Sequence, residues 1–294
     1  MPMHFSTRAW CARLLVLCAA FNFGCGASAQ GVTASGLSAQ SAPSPRVTVL
    51  SPQLIIPGLD RARTVRIYVP PGYASSVKRY PVLYMHDGQN LFAGATAHAG
   101  QWDVDDTLDG LARSQGLELI VVAIDNGEVH RVTELNPWDN ARFGKGEGRL
   151  YMDFIVSVLK PLVDRQYRTL PGREHTGVMG SSLGGLVSHY AILQYPEVFS
   201  EAGIFSPAYW VGPKVFELAA TQPLPTDARL AMYMGGGEGD EAVNDFRRML
   251  EQLQAKAKPG PKLWIKWTPG AQHNEGAWRA EFASAVSWMY ASAH

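Results

Sequence analysis

Residues 178–186 combine a serine with glycines at a spacing that suits nucleophilic chemistry. Gly180, Ser182 and Gly184 fit the pattern G-x-S-x-G between a run typical of a buried strand and a run with helical spacing. A sharp turn from strand to helix needs glycines where the chain passes close to itself, and it strains the central serine while exposing its hydroxyl. Ser182 is therefore the predicted nucleophile. The alternative is a glycine-rich turn that only packs a helix against a sheet.

The same turn predicts a place where negative charge would be stabilised. The N–H of Leu183 and the positive end of the helix that starts there point toward the space above the serine. A second N–H donor is expected from the sequence HDGQN at the end of the apolar run 80–87, where either Gln89 or Asn90 could present it. For each of these two residues, the alternative is an Asp-Gly turn that makes no contact with a substrate.

A serine hydroxyl needs an adjacent base, and the base needs a carboxylate that orients it. In chains with the G-x-S-x-G turn, the order along the sequence is serine, acid, histidine. The histidines that follow Ser182 are His189, which lies on the next helix, His294 at the carboxyl end, and His273 in a loop between a strand and a helix. His273 is therefore the predicted base.

The acid is expected after the apolar run 229–237, whose end reads GGGEGDE. Glu238 is the first carboxylate beyond that run, and it is the predicted acid. Asp240 is the second candidate, although aspartate also suits the N-cap position of the helix predicted over 240–256.

Alternating strands and helices are expected to position these residues. Strands are predicted over 64–70, 80–87, 117–125, 175–180, 229–237 and 262–270, and helices over 103–115, 150–166, 183–195, 240–256 and 278–292. This alternation indicates an α/β fold with a mostly parallel central sheet and helices on both faces. Ligands of such sheets bind at the carboxyl ends of the strands, which is where all three candidate catalytic residues are expected.

Several short motifs in this chain resemble those of the "Putative esterase" family of α/β-hydrolases. The family includes siderophore esterases of the enterobactin type, feruloyl and acetyl-xylan esterases, and formylglutathione hydrolases. The resemblance runs over about residues 64–290 and rests on YMHDGQNLF, WDVDDTL, ELNPW, HTGVMGSSLGGL, FSPAYW, GGGEGDE and HNEGAW. It implies an α/β-hydrolase fold with a nucleophile at Ser182 and a histidine at His273. It also favours Glu238 as the acid, although some members place aspartate there and others rely on serine and histidine alone.

The resemblance implies hydrolysis of carboxylic esters through an acyl-serine, with a small-molecule or acylated-sugar ester of siderophore or aryl type as substrate. Trp102, Trp138 and Trp210 are candidate aromatic walls, with core packing as the alternative, and Asn90 is a further candidate contact. Arg131 could meet an anionic group or pair with Glu134. An acyltransferase or a non-catalytic binding protein on the same fold are the competing functions. No cofactor is expected, because the chain has no HExxH or CxxC pattern.

The amino-terminal residues 1–29 are typical of a secretory signal. Arg8 and Arg13 precede the apolar run Leu14 to Phe23, and Ala27-Ser28-Ala29 offers a cleavage site. That run is about half the ~20 residues that a membrane-spanning helix needs. The chain is therefore expected to be periplasmic or secreted. A lipid anchor at Cys25 is the alternative.

The remaining sequence suggests one exported domain. Residues 30–45 are small and polar, as in a flexible leader, and 46–294 are expected to form a single catalytic domain. All three cysteines precede residue 30, so the mature chain has no disulfide. With 26 basic and 26 acidic residues, the chain has no charge excess that would favour nucleic acid as a partner.

Overall fold

The structure, a computed structural model, describes residues 45–92, 100–255 and 260–291. These residues belong to one compact unit, Gln40–His294. The signal predicted over 1–29, the lipidation alternative at Cys25, and the leader up to residue 44 lie outside the described residues. Within the described ranges, none of the helices has the length and apolar character needed to cross a membrane.

An eight-stranded sheet forms the centre of the described part of the chain, and a two-stranded hairpin lies apart from it. The strands are β1 Val47–Val49, β2 Leu54–Ile56, β3 Arg61–Arg63, β4 Val65–Tyr68, β5 Val82–His86, β6 Ile120–Ile124, β7 Thr176–Ser181, β8 Glu201–Phe205, β9 Arg229–Gly235 and β10 Lys262–Thr268. The order across the sheet is β1-β4-β6-β5-β7-β8-β9-β10. Pairing is antiparallel for β1–β4 and β4–β6 and parallel from β6 to β10, which gives the mostly parallel sheet that the sequence predicts.

Helices follow the parallel strands along the chain. They are α1 Val104–Gln115, α2 Arg131–Glu134, α3 Gly148–Phe154, α4 Lys160–Gln166, α5 Leu183–Gln194, α6 Lys214–Thr221, α7 Asp240–Ala255 and α8 Glu275–Met289. A π-helical segment, Ile155–Leu159, joins α3 to α4, so the helix predicted over 150–166 is continuous in the structure. Short 3-10 turns form at Tyr73–Ser75, Gly88–Asn90, Glu128–His130 and Arg173–His175.

The sheet carries a hydrophobic core on each of its faces. Along β5, Val82 and Tyr84 pack into the core that includes residues of α3 to α7. Leu83 and Met85 point to the opposite face and pack into the core that includes residues of α1 and α8. Because successive side chains of a strand alternate between faces, a strand buried on both sides reads as a continuous apolar run. The prediction of an α/β-hydrolase fold with helices on both faces is confirmed.

Strand β8 is the main element that the sequence analysis missed. It begins with the charged Glu201 and contains Gly203, and both residue types are depleted in strands. The tertiary setting overrides that preference, because β8 pairs with β7 on one side and β9 on the other and is buried along its whole length. At Gly203, a Cβ atom would lie 2.4 Å from the side chain of Met179, so the close approach of β7 requires glycine.

Glu201 is a buried carboxyl group at the start of β8, at the amino end of the parallel strands. Its side chain is 5% exposed, and Oε2 has no hydrogen-bond partner among the described residues. Burial raises the pKa of Glu201 to about 8 from an ordinary value of 4.5. The folded chain therefore binds this proton more tightly than the unfolded chain does. The cost of keeping Glu201 buried lowers the free energy of unfolding. This cost is absent below about pH 4.5, where the group is protonated in both states, and it grows as the pH rises toward 8.

Replacement of Glu201 by glutamine should therefore stabilise the protein in a pH-dependent way. Since the amide does not titrate, we expect Glu201→Gln to raise the free energy of unfolding by roughly 2 kcal/mol at pH 8 and by much less at pH 5. Urea denaturation at the two pH values measures the difference. Glu241→Gln, at an exposed position in the first turn of α7, is the matched control and should change little at either pH. An equal effect of Glu201→Gln at both pH values would contradict the prediction.

Candidate active site

Ser182 lies at the sharp turn between β7 and α5, in a backbone conformation that is unfavourable for a residue with a side chain. Its φ is 58° and its ψ is −120°. Two hydrogen bonds hold the turn, since the N–H of Ser182 donates to the carbonyl of Phe205 at 2.9 Å and its own carbonyl accepts from the N–H of Ala208 at 3.0 Å. A strained residue that is fixed by its surroundings is a frequent feature of functional sites.

The glycines of this turn are required by close contacts between backbones. A Cβ atom at Gly180 would lie 2.8 Å from the carbonyl carbon of Gly184, and a Cβ atom at Gly185 would lie 2.7 Å from the carbonyl oxygen of Phe205. Both distances are too short for a real side chain. The expected steric cause thus holds for Gly180 of the G-x-S-x-G pattern, whereas a Cβ atom at Gly184 would make only a tight contact, 3.3 Å from Cβ of His86.

His273 and Glu238 meet at the carboxyl end of the sheet. Nδ1 of His273 lies 2.7 Å from Oε2 of Glu238. The other carboxylate oxygen, Oε1, accepts from the hydroxyl of Ser206 at 2.6 Å and from the N–H of Gly235 at 2.8 Å. The Glu238 side chain is 1% exposed whereas that of His273 is 42% exposed, so a buried and fully engaged carboxylate orients an accessible ring.

The structure separates the two candidate acids. Glu238 contacts His273, whereas Asp240 is the first residue of α7 and is exposed to solvent. The tight passage of the chain after β9 explains why Glu238 turns inward. At Gly235, a Cβ atom would lie 2.6 Å from Oε1 of Glu238, so glycine is needed where the carboxylate folds back on the strand end.

Ser182 and His273 line the same cavity, which has a volume of about 350 Å³. Asn90 lies on its wall, together with the indole rings of Trp102 and Trp278. The ring of Trp278 packs edge-on against the ring of His273 at 5.0 Å, and its Nε1 donates to the hydroxyl of Ser206 at 2.9 Å. The histidine is thus positioned by a carboxylate on one side and an indole on another.

Two main-chain N–H groups, those of Leu183 and Gln89, are the candidates for binding an oxyanion. Leu183 is the first residue of α5, where N–H groups have no partner within the helix. On the facing loop, the N–H of Asn90 donates to the carbonyl of Asp87 at 2.9 Å, which leaves the N–H of Gln89 as the remaining candidate of the two. The side chain of Gln89 lines a neighbouring cavity and accepts from the N–H of Asn126 at 3.0 Å.

Arg131 pairs with Asp87 and not with Glu134, which corrects one of the two roles considered for it. Nε and Nη2 of Arg131 lie 2.6 and 2.9 Å from the two oxygens of Asp87, and Asn126 donates to the same carboxylate at 2.6 Å. Glu134 instead pairs with Arg63 at 2.6 Å. Burial opposes ionisation of Asp87, but Arg131 and Asn126 outweigh it and hold the pKa of Asp87 below its ordinary value.

A second histidine, His86, lies on the cavity wall but is poorly suited to act as a base. It is 1% exposed, and its Nδ1 lies 2.8 Å from the hydroxyl of Tyr151. Burial lowers the pKa of His86 to about 4. The ring therefore stays neutral and enclosed, and His273 is the accessible histidine of this cavity.

Of the tryptophans considered as aromatic walls, the structure places only Trp102 at the cavity. Trp138 packs edge-on against Tyr190 at 5.6 Å and lies partly buried beside the core. Trp210 is 41% exposed and contacts Phe143 at 5.8 Å. Neither Trp138 nor Trp210 lines the cavity that contains Ser182.

Several residues of the site were not identified from the sequence. Ser206, Asp87, Glu275 and Trp278 contribute through contacts between segments that are distant in the chain. All four lie within the quoted motifs YMHDGQNLF, FSPAYW and HNEGAW, so the sequence contained a signal for them but did not indicate their roles. Within the described ranges, no group of three or more His, Cys, Asp and Glu side chains could hold a metal ion.

The sequence of this chain is similar to a protein family and to a bacterial protein. The model of the "Putative esterase" family matches residues 56–289. The "Uncharacterized protein YbbA" of Bacillus subtilis (strain 168) is 28% identical over 243 residues, which are 78% of this chain and 92% of that protein.

Solved structures share the fold. The IroE-like serine hydrolase from Shewanella oneidensis is 21% identical with a TM-score of 0.67, over 83% of this chain and 79% of that chain. The enterobactin esterase FES from Shigella flexneri, with 2,3-di-hydroxy-N-benzoyl-serine, is 22% identical with a TM-score of 0.68, over 86% of this chain and 61% of that chain.

The contact between Glu238 and His273 predicts unequal effects of two conservative substitutions. Because an amide cannot stabilise a charged imidazole as a carboxylate does, we expect Glu238→Gln to slow the labelling of Ser182 by a fluorophosphonate probe by about a hundredfold or more. Asp240→Asn, the matched control, should label at the rate of the unmodified protein. Labelling rates are measured by mass spectrometry of the modified peptide. The opposite ranking would assign the orienting acid to Asp240.

Proposed function

The chain belongs to the "Putative esterase" family, and on this premise we propose that it is an exported serine esterase that hydrolyses carboxylic esters through an acyl-serine intermediate. The observation that carries the proposal is the pair of Glu238 and His273, 2.7 Å apart, at the cavity that also contains the strained Ser182. A nucleophile, a base and a group that orients the base are the parts that this chemistry uses.

The proposed reaction proceeds in two steps. His273 takes the proton of Ser182 as its Oγ attacks the ester carbonyl, while Glu238 stabilises the imidazolium that forms. The N–H groups of Leu183 and Gln89 receive the negative charge of the tetrahedral intermediate, and the alcohol leaves with the proton from His273. Water activated by His273 then attacks the acyl-serine and releases the acid.

We propose that the substrates are esters whose acyl part carries an aromatic ring, as in catecholate siderophores. Trp102 and Trp278 lie 5.9 Å apart with their rings inclined by 34°, and both residues line the cavity, where an aromatic acyl group could contact them. The fold is shared with an enterobactin esterase, whose structure was solved with an aromatic compound, 2,3-di-hydroxy-N-benzoyl-serine. The cavity is about 350 Å³, which is near the lower end for small-molecule sites.

Removal of the proposed nucleophile provides the direct test. Ser182→Ala should reduce the hydrolysis of aryl esters by about 10⁴-fold or more, because no acyl-enzyme can form. The release of the acid and the mass of an acylated peptide are measured by chromatography and mass spectrometry, with Ser181→Ala, one position earlier in the same turn, for comparison. Retention of the activity in Ser182→Ala would overturn the proposal. Transfer of the acyl group to an added alcohol in preference to water would instead identify an acyltransferase.

Export is a separate part of the proposal, based on residues 1–29. We expect the protein produced in a bacterial host to be recovered outside the cytoplasm with Gln30 as its first residue, because the small residues Ala27-Ser28-Ala29 suit a signal peptidase. The intact mass of the recovered protein measures the cleavage point. A cytoplasmic protein that keeps residues 1–29 would contradict export, and a lipid-modified chain that begins at Cys25 would indicate the anchor.

A further inference from the structure

Glu275 is an acidic residue of the cavity that the proposed mechanism does not use. It is the first residue of α8, two positions after His273, and it lines the same cavity as Ser182. Its two sequence neighbours, Asn274 and Gly276, are exposed, whereas Glu275 is only 7% exposed. An acidic side chain at the start of a helix would ordinarily extend into water, so its inward orientation calls for an explanation.

The local structure fixes this orientation. The side chain of Asn274 caps α8 by accepting from the N–H of Ala277 at 3.0 Å. This cap fixes Glu275 as the first residue of the helix. Gly100, with a φ of +113°, packs against the stem of the glutamate, since a Cβ atom there would lie 3.3 Å from Cβ of Glu275. The side chain therefore enters the cavity as a positioned group.

Within the described part of the chain, the carboxylate of Glu275 is stabilised by hydrogen bonds from its own backbone N–H and from one side chain, but by no ion pair. One side chain, Asn90, donates a hydrogen bond to Oε1 at a long distance of 3.3 Å. No Lys or Arg forms an ion pair with Glu275 among residues 45–92, 100–255 and 260–291. A buried carboxylate that keeps free acceptor capacity is costly unless a donor reaches it.

The other charges of the cavity are already matched. Arg131 is engaged by both oxygens of Asp87, and Glu238 is engaged by His273, Ser206 and Gly235. Burial raises the pKa of Glu275, whereas a hydrogen bond from its own backbone N–H lowers it. The negative charge of Asp87 adds to the rise, and His273 and Arg131 oppose it. Among the described residues, Glu275 is therefore the carboxylate of this cavity that forms no ion pair, whereas Asp87 pairs with Arg131 and Glu238 with His273.

We propose that Glu275 is a specificity-determining residue whose carboxylate accepts a hydrogen bond from a hydroxyl or ammonium group on the acyl part of the substrate and repels acyl groups that carry negative charge. This inference rests on the proposed function, because it assumes that an acyl group occupies the cavity beside Ser182. A site built to bind a donor discriminates strongly against analogues that lack it, since the buried acceptor is then left unpaired. A like charge at close range in a partly buried cavity is disfavoured as well.

A set of four matched esters tests the inference. The ethyl esters of 4-(aminomethyl)-, 4-(hydroxymethyl)-, 4-ethyl- and 4-carboxybenzoic acid differ in one substituent, which is a cation, a neutral donor, an apolar group or an anion. The value of kcat/KM is measured for each ester with the unmodified enzyme, with Glu275→Gln, and with Glu241→Gln as a control for the change of net charge. Comparison of each variant with the unmodified enzyme cancels the intrinsic reactivity of the esters.

We expect the unmodified enzyme to prefer the aminomethyl and hydroxymethyl esters to the carboxy ester. Relative to the ethyl-substituted reference, Glu275→Gln should lower kcat/KM for the aminomethyl ester by about tenfold or more and raise that for the carboxy ester by a similar factor. Glu241→Gln should leave these ratios unchanged. A thermal melt of each variant shows whether it is folded.

Two results would overturn the inference while leaving the proposed function intact. The first is a folded Glu275→Gln variant with unchanged ratios, which would reduce Glu275 to a stabilising residue of α8. The second is an unmodified enzyme that prefers the carboxy ester, a result that needs no variant. If Ser182 fails to react with a fluorophosphonate and none of the esters is hydrolysed, the proposed function fails, and the inference fails with it.

Discussion

The arrangement of the site depends on the contact between a buried carboxylate and an accessible imidazole. Glu238 can orient His273 only because its second oxygen is already held by Ser206 and Gly235, so the side chain has no freedom to turn toward solvent. Those groups come from the end of β9, the turn after β8 and the loop before α8. A parallel sheet brings the ends of its strands to one edge, and the fold thereby holds the segments that form this contact next to one another.

Strand β8 connects the nucleophile to the acid. Its last residue, Phe205, accepts from the N–H of Ser182, and the next residue, Ser206, donates to Glu238. Ser206 has a φ of 43°, and like Ser182 it therefore occupies a strained conformation that its neighbours must maintain. Trp278 adds a third link, because it donates to Ser206 and packs on His273. Residues that are far apart in the sequence thus form one connected network behind the cavity.

The core of the site could be predicted from the sequence because its signals are local. The glycine at position 180 follows from a steric contact with Gly184 within one turn, and the chain order limited the candidates for the base and the acid. The neighbours of these residues could not be predicted, since the partner of Arg131, the burial of Trp102 and the positions of Trp138 and Trp210 depend on how distant loops pack. Strand β8 was missed for the same reason, because its sequence has weak strand propensity and burial between β7 and β9 decides its conformation.

By itself, the sequence determined the alternation of strands and helices, the strained serine turn and the short set of groups that could serve it. Hydrophobic periodicity and glycine sterics act over a few residues, so they can be read along the chain. Only the tertiary structure decided that Glu238 and not Asp240 contacts His273, that Arg131 is matched by Asp87, and that Glu275 turns inward beside Ser182. Those outcomes depend on burial and on distances between strand ends, which a linear pattern does not contain.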